Sequence, residues 1–207
     1  SYKRVVAFSI AQSHGVTAVS ESLRRDTITT LGIQRDIRVI PNFLDVAEWT
    51  RQVDPALRTH LAPDGQAIVV HVSNFRPVKR VLDVVRIFER VAREVDAVLL
   101  MVGEGPERSS AQALARRLSL GDRLRFLGTQ HAIEEIVGLA DVFLLPSELE
   151  SFGLSALEAM ARGVPVVGSD AGGLPEVVRH AESGYLLPVG DVEGMAARTI
   201  EILKDDE

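Results

Sequence analysis

The fold is decided by the stretch Pro146-Ser-Glu-Leu-Glu-Ser-Phe-Gly-Leu-Ser-Ala-Leu-Glu-Ala-Met-Ala-Arg-Gly-Val-Pro165. The apolar run just before it, residues 142–145, predicts a buried strand. Ser151 is a suitable N-cap for a helix over residues 152–162, and Gly163 stands where a C-cap glycine belongs. A further apolar run then predicts the next strand. The loop of this strand–loop–helix–strand unit lies at the carboxyl end of a strand, where ligands bind in open α/β sheets.

Two carboxylates mark this unit, Glu150 just before the predicted helix and Glu158 inside it. At ~1.5 Å rise per residue they lie roughly 12 Å apart along the axis. That distance is too large for two carboxylates that share one scissile bond, which need a separation of ~5–9.5 Å. Between them, the free backbone N–H groups of Phe152, Gly153 and Leu154 form a helix N-terminus, which attracts anions. An anion-binding helix N-terminus between two carboxylates that can bind hydroxyl groups suits a sugar nucleotide, in which a diphosphate joins a hexose to a ribose. The spacing alone also allows Glu150 to complement the helix dipole and Glu158 to be a solvated helix residue.

The joint pattern resembles a known family. Glu-x7-Glu followed by Ala161-Arg-Gly-Val-Pro-Val-Val167, with the lead-in Ala140-Asp-Val-Phe-Leu-Leu-Pro-Ser147, is similar to the signature of retaining glycosyltransferases of the GT-B fold, family 4. The resemblance continues through Val39-Ile-Pro-Asn-Phe-Leu-Asp45 and implies the donor-binding, C-terminal half of such an enzyme, preceded by the end of its N-terminal domain. For Asn42 and Asp45 themselves, simple turn chemistry is the favoured interpretation.

Composition limits the function classes. The 207 residues are 46% hydrophobic and 25% charged, as in an ordinary α/β protein. The net charge of −6 argues against a nucleic-acid binder that acts through a broad basic face. The chain contains no cysteine, which excludes a thiolate metal site and fits a reducing cytoplasm. No apolar run approaches the ~18 residues of a membrane span.

Strands alternate with helices from residue 67 onward, which predicts a Rossmann-like, doubly wound parallel sheet. We expect a remnant of the N-terminal domain over residues 1–45, a linker over 46–63, the donor-binding domain over 64–190 and a C-terminal helix over 191–207. The sequence starts inside one predicted helix and stops on another, which is typical of a fragment. In order, the predicted helices cover residues 3–13, 20–31, 81–95, 107–118, 133–139, 152–162 and 192–203, and the strands cover 15–19, 37–40, 67–73, 97–102, 124–127, 142–145 and 164–167.

A second candidate site is the loop Ser73-Asn-Phe-Arg-Pro-Val-Lys-Arg80, which carries three cations just before a helix. Cations there oppose the helix dipole, so an anionic ligand explains them better than a solvated helix start does. In many family members the loop reads Gly-Arg-x4-Lys, and both cations hold the donor diphosphate. Lys79 matches that lysine, whereas Asn74 stands at the arginine position and Arg76 lies two residues later. This loop and Thr17-Ala-Val-Ser-Glu-Ser-Leu23 resemble a narrower group, the enzymes that join N-acetylglucosamine to L-malate in bacillithiol synthesis.

Two glycine-rich turns follow other strands. Gly103-Glu-Gly105 permits close approach of the backbone to a ligand, but it lacks the third glycine of a dinucleotide fingerprint. In the loop 168–176, Asp170 caps a helix or the loop contacts a ligand, and the sequence leaves both open. The five histidines show no metal-ligand spacing, and we expect His71 to be a packed core residue.

The resemblance implies a retaining glycosyltransferase that moves N-acetylglucosamine from UDP-N-acetylglucosamine to L-malate, without cofactor or metal. The acceptor would lie mostly on the missing domain, so this chain alone should bind UDP weakly and not turn over. Another acceptor, such as a lipid or polysaccharide, and a non-catalytic nucleotide-sugar binding module are the alternatives; the oligomeric state stays open. The implied roles are catalytic for Glu150, Lys79 and Arg76, donor sugar or diphosphate binding for Asn74, Arg80, Phe152, Gly153 and Leu154, ribose binding for Glu158, and base binding for Gly128, Thr129 and Gln130.

Overall fold

The computed structural model describes residues 2–49 and 54–205. Four residues of the predicted linker, 50–53, and the last two of the predicted C-terminal segment, 206 and 207, lie outside the described residues. In chain order the elements are α1 (Tyr2–Gln12), β1 (Thr17–Ala18), α2 (Glu21–Leu31), β2 (Arg38–Val39), α3 (Val46–Trp49), α4 (Pro55–Leu61), β3 (Ala67–Val72), α5 (Val81–Glu94), β4 (Ala97–Val102), α6 (Arg108–Arg117), β5 (Leu124–Gly128), α7 (Ile133–Val137), β6 (Val142–Leu145), α8 (Leu154–Ala161), β7 (Val166–Ser169), β8 (Gly184–Leu187) and α9 (Val192–Lys204).

Six strands form one parallel sheet with the order β5-β4-β3-β6-β7-β8. The direction in which the chain adds strands reverses between β3 and β6, so the topological switch point lies between these two neighbours. Ligands of doubly wound sheets bind in the crevice at the carboxyl ends of such strands. The loops after β3 and β6 carry the two predicted sites, so the sheet order brings them to one crevice. The predicted fold class is confirmed.

Both faces of the sheet are covered, which explains why its central strands are almost continuously apolar. One face packs on α5, α6 and α9, and the other packs on α4, α7 and α8. The helix α5 shows the expected spacing, since it buries Val81, Val84, Val85, Ile87, Phe88 and Val91. Each large apolar side chain buried in this way contributes about 1.5–3 kcal/mol. The sheet is therefore a rigid platform for the loops at its carboxyl edge.

The N-terminal segment forms a separate small layer. The parallel pair β1–β2 packs with α1 and α2 around Ala18, Ile33 and Ile37. The Ser20 hydroxyl accepts a hydrogen bond from the N–H of Leu23 and so caps the N-terminus of α2. Both strands are shorter than the predicted runs.

The structure corrects several predictions. A sixth sheet strand, β8, was not predicted, and β7 begins two residues later than expected. The helix α8 begins at Leu154 and not at residue 152, and its N-cap is Gly153 and not Ser151. Gly153 takes φ 98°, a left-handed conformation, and the carbonyl of Ser151 is held by Ser20, so the chain turns later than a serine cap requires. At its other end α8 stops at Ala161, one residue before the predicted bound, and its C-cap is Arg162 and not Gly163. Gly163 follows with φ 75°, and the N–H of Val164 donates to Ala159 O.

Candidate functional site

Lys79 and Glu150 meet across the switch point. The Lys79 Nζ lies 2.7 Å from Glu150 Oε1, although 71 positions separate the two residues. The side chains are 21% and 11% exposed, so the pair lies inside the crevice and not on the open surface. An ammonium group has three N–H donors, and this bond uses one of them. Lys79 can therefore keep Glu150 oriented while it donates to a bound anion.

Two further contacts hold this pair in place. The Ser147 hydroxyl, almost fully buried, donates to the same Glu150 Oε1 at 2.7 Å. The N–H of Glu148 donates to the carbonyl of Val78 at 2.8 Å, which joins the loop after β6 to the short 3-10 turn Pro77–Lys79. The two loops thus form one unit. Sequence reasoning missed Ser147, although a hydroxyl three residues before a candidate carboxylate is a usable signal.

A buried relay shapes the loop after β3. The N–H of Phe75 donates to Ser73 Oγ at 3.2 Å, and Ser73 Oγ lies 2.8 Å from His71 Nε2. The other ring nitrogen lies 2.9 Å from Leu144 O, so Nδ1 carries the proton and Nε2 accepts from the serine. Burial, with the charge of Lys79 as a smaller contribution, lowers the pKa of His71 to about 4. His71 is therefore a neutral core residue, as predicted, and it positions the loop and is not an acid or base at neutral pH.

The N-terminus of α8 presents free donors beside this pair. Within the described residues, the N–H groups of Phe152, Gly153 and Leu154 make no hydrogen bond, whereas those of Ala156 and Leu157 donate to Gly153 O. Phe152 is 8% exposed, and Gly153 is buried. Free N–H groups at a helix N-terminus favour anions, through both the donors and the helix dipole. The donors that the predicted anion site requires are thus free, although the helix starts two residues later than predicted, and anion binding stays a prediction.

Glu158 lies in the middle of α8 and is half-buried. No group in the described part of the chain forms a hydrogen bond or an ion pair with the Glu158 carboxyl group. Burial alone raises the pKa of Glu158 to about 7. Such a shift is expected for a partly desolvated carboxyl group and favours ligand binding over a solvated helix residue. A half-buried carboxyl group without a partner is a suitable acceptor for the hydroxyl groups of a ligand.

The remaining cations of the loop after β3 fall into two classes. Arg76 is exposed and, like Asn74, makes no side-chain hydrogen bond or ion pair with another described residue, so both are available to a ligand. Arg80 instead donates to Asp83 Oδ2 at 2.7 Å, and Asp83, which is 5% exposed, also accepts from Arg86 at 2.7 Å. Part of Arg80 is thus committed to holding the start of α5.

The predicted base-binding loop follows β5. Gly128 takes φ 69°, and its carbonyl accepts a hydrogen bond from the N–H of Gly103 at 2.8 Å. Gln130 Nε2 folds back onto Leu127 O at 2.6 Å, whereas Thr129 is exposed. One acceptor position of the Gly128 carbonyl is therefore occupied, and the free backbone groups for a base are those around Thr129.

Glycines of both glycine-rich turns lie directly against the backbone of neighbouring loops, where a side chain would not fit. A Cβ added at Gly105 would lie 1.9 Å from Asn74 O, and one at Gly172 would lie 2.1 Å from Glu150 O. The glycines therefore let the turns after β4 and β7 pack directly against the two site loops. In the second turn the predicted cap is wrong, because the 3-10 turn Leu174–Glu176 is capped by Gly173 and the backbone N–H of Asp170 donates to Leu187 O.

Replacing Gly105 by alanine is expected to displace the Asn74–Phe75 backbone and to lower the free energy of unfolding by about 1–3 kcal/mol, as overpacking does. Urea unfolding of the variant measures this change. The matched control is Gly15→Ala, where an added Cβ has nothing within 4 Å. Equal stability of the two variants would show that the turn after β4 does not support the loop after β3.

A separate cavity of about 320 Å³ lies at the opposite edge of the sheet, by the first residues of β7 and β8. Its lining includes Pro165, Gly184 and Tyr185 and none of the predicted site residues. We do not assign it to the site, because the partly buried ion pair and the free N–H groups lie at the carboxyl edge.

Known proteins resemble the chain over most of its length. Residues 54–207 match the family described as "Glycosyl transferases group 1". The chain is 44% identical over 208 residues to N-acetyl-alpha-D-glucosaminyl L-malate synthase of Bacillus anthracis, which covers 100% of this chain and 55% of that protein. It is 34% identical over 181 residues to lipopolysaccharide core biosynthesis glycosyltransferase LpsE of Rhizobium meliloti, with 87% of this chain and 52% of that protein covered.

Among solved structures, Anabaena Alr3699/HepE in complex with UDP and glucose has a TM-score of 0.87 at 25% identity, over 98% of this chain and 57% of that one. The chain spans about half the length of the curated relatives it matches. Within the described residues, no helix combines the length and hydropathy needed to cross a membrane.

Proposed function

Because the chain belongs to the group 1 glycosyltransferases, we propose that it is the donor-binding part of a retaining enzyme that transfers N-acetylglucosamine from UDP-N-acetylglucosamine to L-malate. The observation that carries the proposal is the Lys79–Glu150 pair at the switch point, beside the free N–H groups of residues 152–154. A cation, a carboxylate and a helix N-terminus in one crevice match a ligand that has a charged diphosphate and a hydroxyl-rich sugar.

The chemistry follows from where charge develops. When the sugar leaves the diphosphate, negative charge grows on the departing phosphate oxygens. Lys79, Arg76 and the α8 N–H groups supply fixed positive charge and donors at that point, an arrangement that lowers the barrier because it needs little reorganisation. This set supplies the charge that a metal ion would otherwise provide, so the proposal includes no metal and no cofactor.

The two carboxyl groups divide the hydroxyl groups of the donor. Glu150 Oε1 is already held by Lys79 and Ser147, so it orients the carboxylate and leaves Oε2 to accept from the hexose. Glu158, without a partner in the described residues, accepts from the ribose. With the leaving group held on one side, attack of the acceptor on the same face of the sugar gives retention of configuration.

The identity of the two substrates is supported by the relatives. A neighbour of the same fold binds UDP and glucose, which supports a uridine nucleotide read by the loop around Thr129. The relative with 44% identity acts on L-malate, as its name states, and supports that acceptor. The 34% identity to a lipopolysaccharide core enzyme makes a saccharide acceptor the second candidate.

We expect calorimetry on the chain to give tighter binding of UDP than of GDP by about tenfold or more, a difference of about 1.4 kcal/mol. UDP-N-acetylglucosamine with L-malate, tested on the full-length protein, should give glycosyl-malate, whereas the chain alone should give none. Preference for GDP would overturn the uridine assignment. Transfer to a lipopolysaccharide core but not to L-malate would overturn the assignment of L-malate as the acceptor.

A further inference from the structure

We infer that Ser20 and Glu176 position the donor-binding loop from outside the site, by clamping the first turn of α2 onto it. The inference rests on the proposed donor site, because the loop concerned, residues 150–153, carries Glu150 and the free N–H groups. Neither Ser20 nor Glu176 touches the proposed ligand, so both are positioning residues and not catalytic ones.

The first contact is a buried hydroxyl. Ser20 is 1% exposed and donates to the carbonyl of Ser151 at 2.6 Å, across 131 positions of sequence. The Ser20 Oγ also accepts a hydrogen bond from the N–H of Leu23, so the hydroxyl acts both as a donor and as an acceptor. The residue that caps α2 is thus also the residue that holds the loop between Glu150 and the N–H groups.

The second contact is a carboxylate on a helix N-terminus. Glu176 Oε2 accepts from the N–H of Glu21 at 2.8 Å, and Oε1 accepts from the N–H of Ser22 at 2.7 Å. These N–H groups belong to the first turn of α2, which has no acceptor within the helix and carries the positive end of the dipole. Glu176 therefore satisfies two donors at once.

The turn that ends in Glu176 is itself built against the donor loop. The N–H of Gly173 donates to Glu150 O at 2.7 Å. Leu174, fully buried, leaves so little room that a Cβ at Gly153 would lie 2.7 Å from its Cδ1. Residues 150, 151 and 153 thus each have a partner in the turn or in α2, and movement of α2 shifts the loop.

The test is amide hydrogen exchange of the chain with and without UDP. Without nucleotide, Glu176→Gln should speed exchange of the N–H groups that donate to the loop, Gly173 to Glu150 O and both Ala156 and Leu157 to Gly153 O, by roughly threefold. That is the size expected when a carboxylate at a helix N-terminus is neutralised. With UDP, the parent should slow exchange both in residues 152–154 and in residues 21–23, because coupling between two sites is reciprocal. In Glu176→Gln the slowing at residues 21–23 should disappear, and UDP affinity should fall roughly threefold.

Glu182→Gln is the matched control, since Glu182 is an exposed carboxylate six residues after Glu176 and, among the described residues, its side chain pairs only with Arg179. Ser20→Ala is the second variant and should weaken UDP binding by about tenfold, because it removes both the cap and the loop contact. If exchange at residues 156, 157 and 173 is the same in the parent and Glu176→Gln without nucleotide, the inference is wrong. If the parent binds no UDP, the donor proposal fails, and the nucleotide-free comparison still decides the clamp.

Discussion

Lys79→Ala is expected to weaken UDP binding by about a hundredfold, which corresponds to about 2.7 kcal/mol. A hydrogen bond from a charged group to a phosphate is worth about 1.5–3 kcal/mol. The loss also leaves Glu150, 11% exposed, without its cation and next to the incoming negative charge. Calorimetric titration of both proteins with UDP measures the difference. Lys204→Ala is the matched control, because Lys204 pairs with Glu94 on an exposed surface.

The double variant Lys79→Ala/Glu150→Gln separates two explanations of that loss. If Lys79 contacts the diphosphate, the double variant stays weak, because the missing donor is not replaced. If Lys79 only neutralises Glu150, removal of the carboxylate charge restores the affinity of the parent. Recovery in the double variant would therefore contradict the role proposed for Lys79, and the cycle gives the coupling between the two side chains directly.

The sheet could be predicted from sequence because its strands are buried on both faces. The runs 97–102 and 142–145 coincide with β4 and β6, since a strand covered by helices on both sides must be apolar throughout. The strand β8, Gly184-Tyr-Leu-Leu187, is short, begins with glycine and has three partly exposed residues. It carries too weak an apolar signal to be found without the pairing that β7 offers.

The sequence singles out candidate site residues but does not predict the contacts between them. The motif singles out Lys79 and Glu150, yet their ion pair depends on β3 lying beside β6, and strand alternation does not specify that order. The start of α8 was misjudged for a similar reason. Ser151 has the right side chain for a cap, but its carbonyl is engaged by Ser20, from a segment 131 positions away.

The ion pair of Arg80 with Asp83 is predictable from local spacing. Asp83 stands three residues after Arg80 and three before Arg86, the spacing at which side chains on a helix meet. That pattern indicates an ion-pair cluster, and the structure shows one. Arg76, without such a neighbour, is the cation that stays exposed.

Glu158 gives the second large effect, a pH dependence of donor binding. Its pKa of about 7 means that the carboxyl group is mostly protonated at about pH 6 and mostly ionised at about pH 8. Hydroxyl groups of the ribose donate to the ionised form, so we expect affinity to rise about tenfold between those pH values. UDP-N-acetylglucosamine is the ligand of choice, because its diphosphate has no group that titrates in this range. In Glu158→Gln the pH dependence should disappear, while weak binding remains.

The raised pKa of Glu158 also predicts that the stability of the chain without ligand falls as the pH rises, which is opposite to the trend for donor binding. The folded pKa, about 7, lies above the ordinary value of 4.5, so between these pH values the folded chain holds a proton that the unfolded chain has lost. Stability from this group is complete below pH 4.5 and falls as the pH rises through 7. Glu158→Gln should therefore unfold at a higher temperature than the parent at about pH 8, with the difference vanishing towards acid pH. A difference independent of pH would contradict burial of this carboxyl group, and with it the reason for expecting a ligand hydroxyl at Glu158.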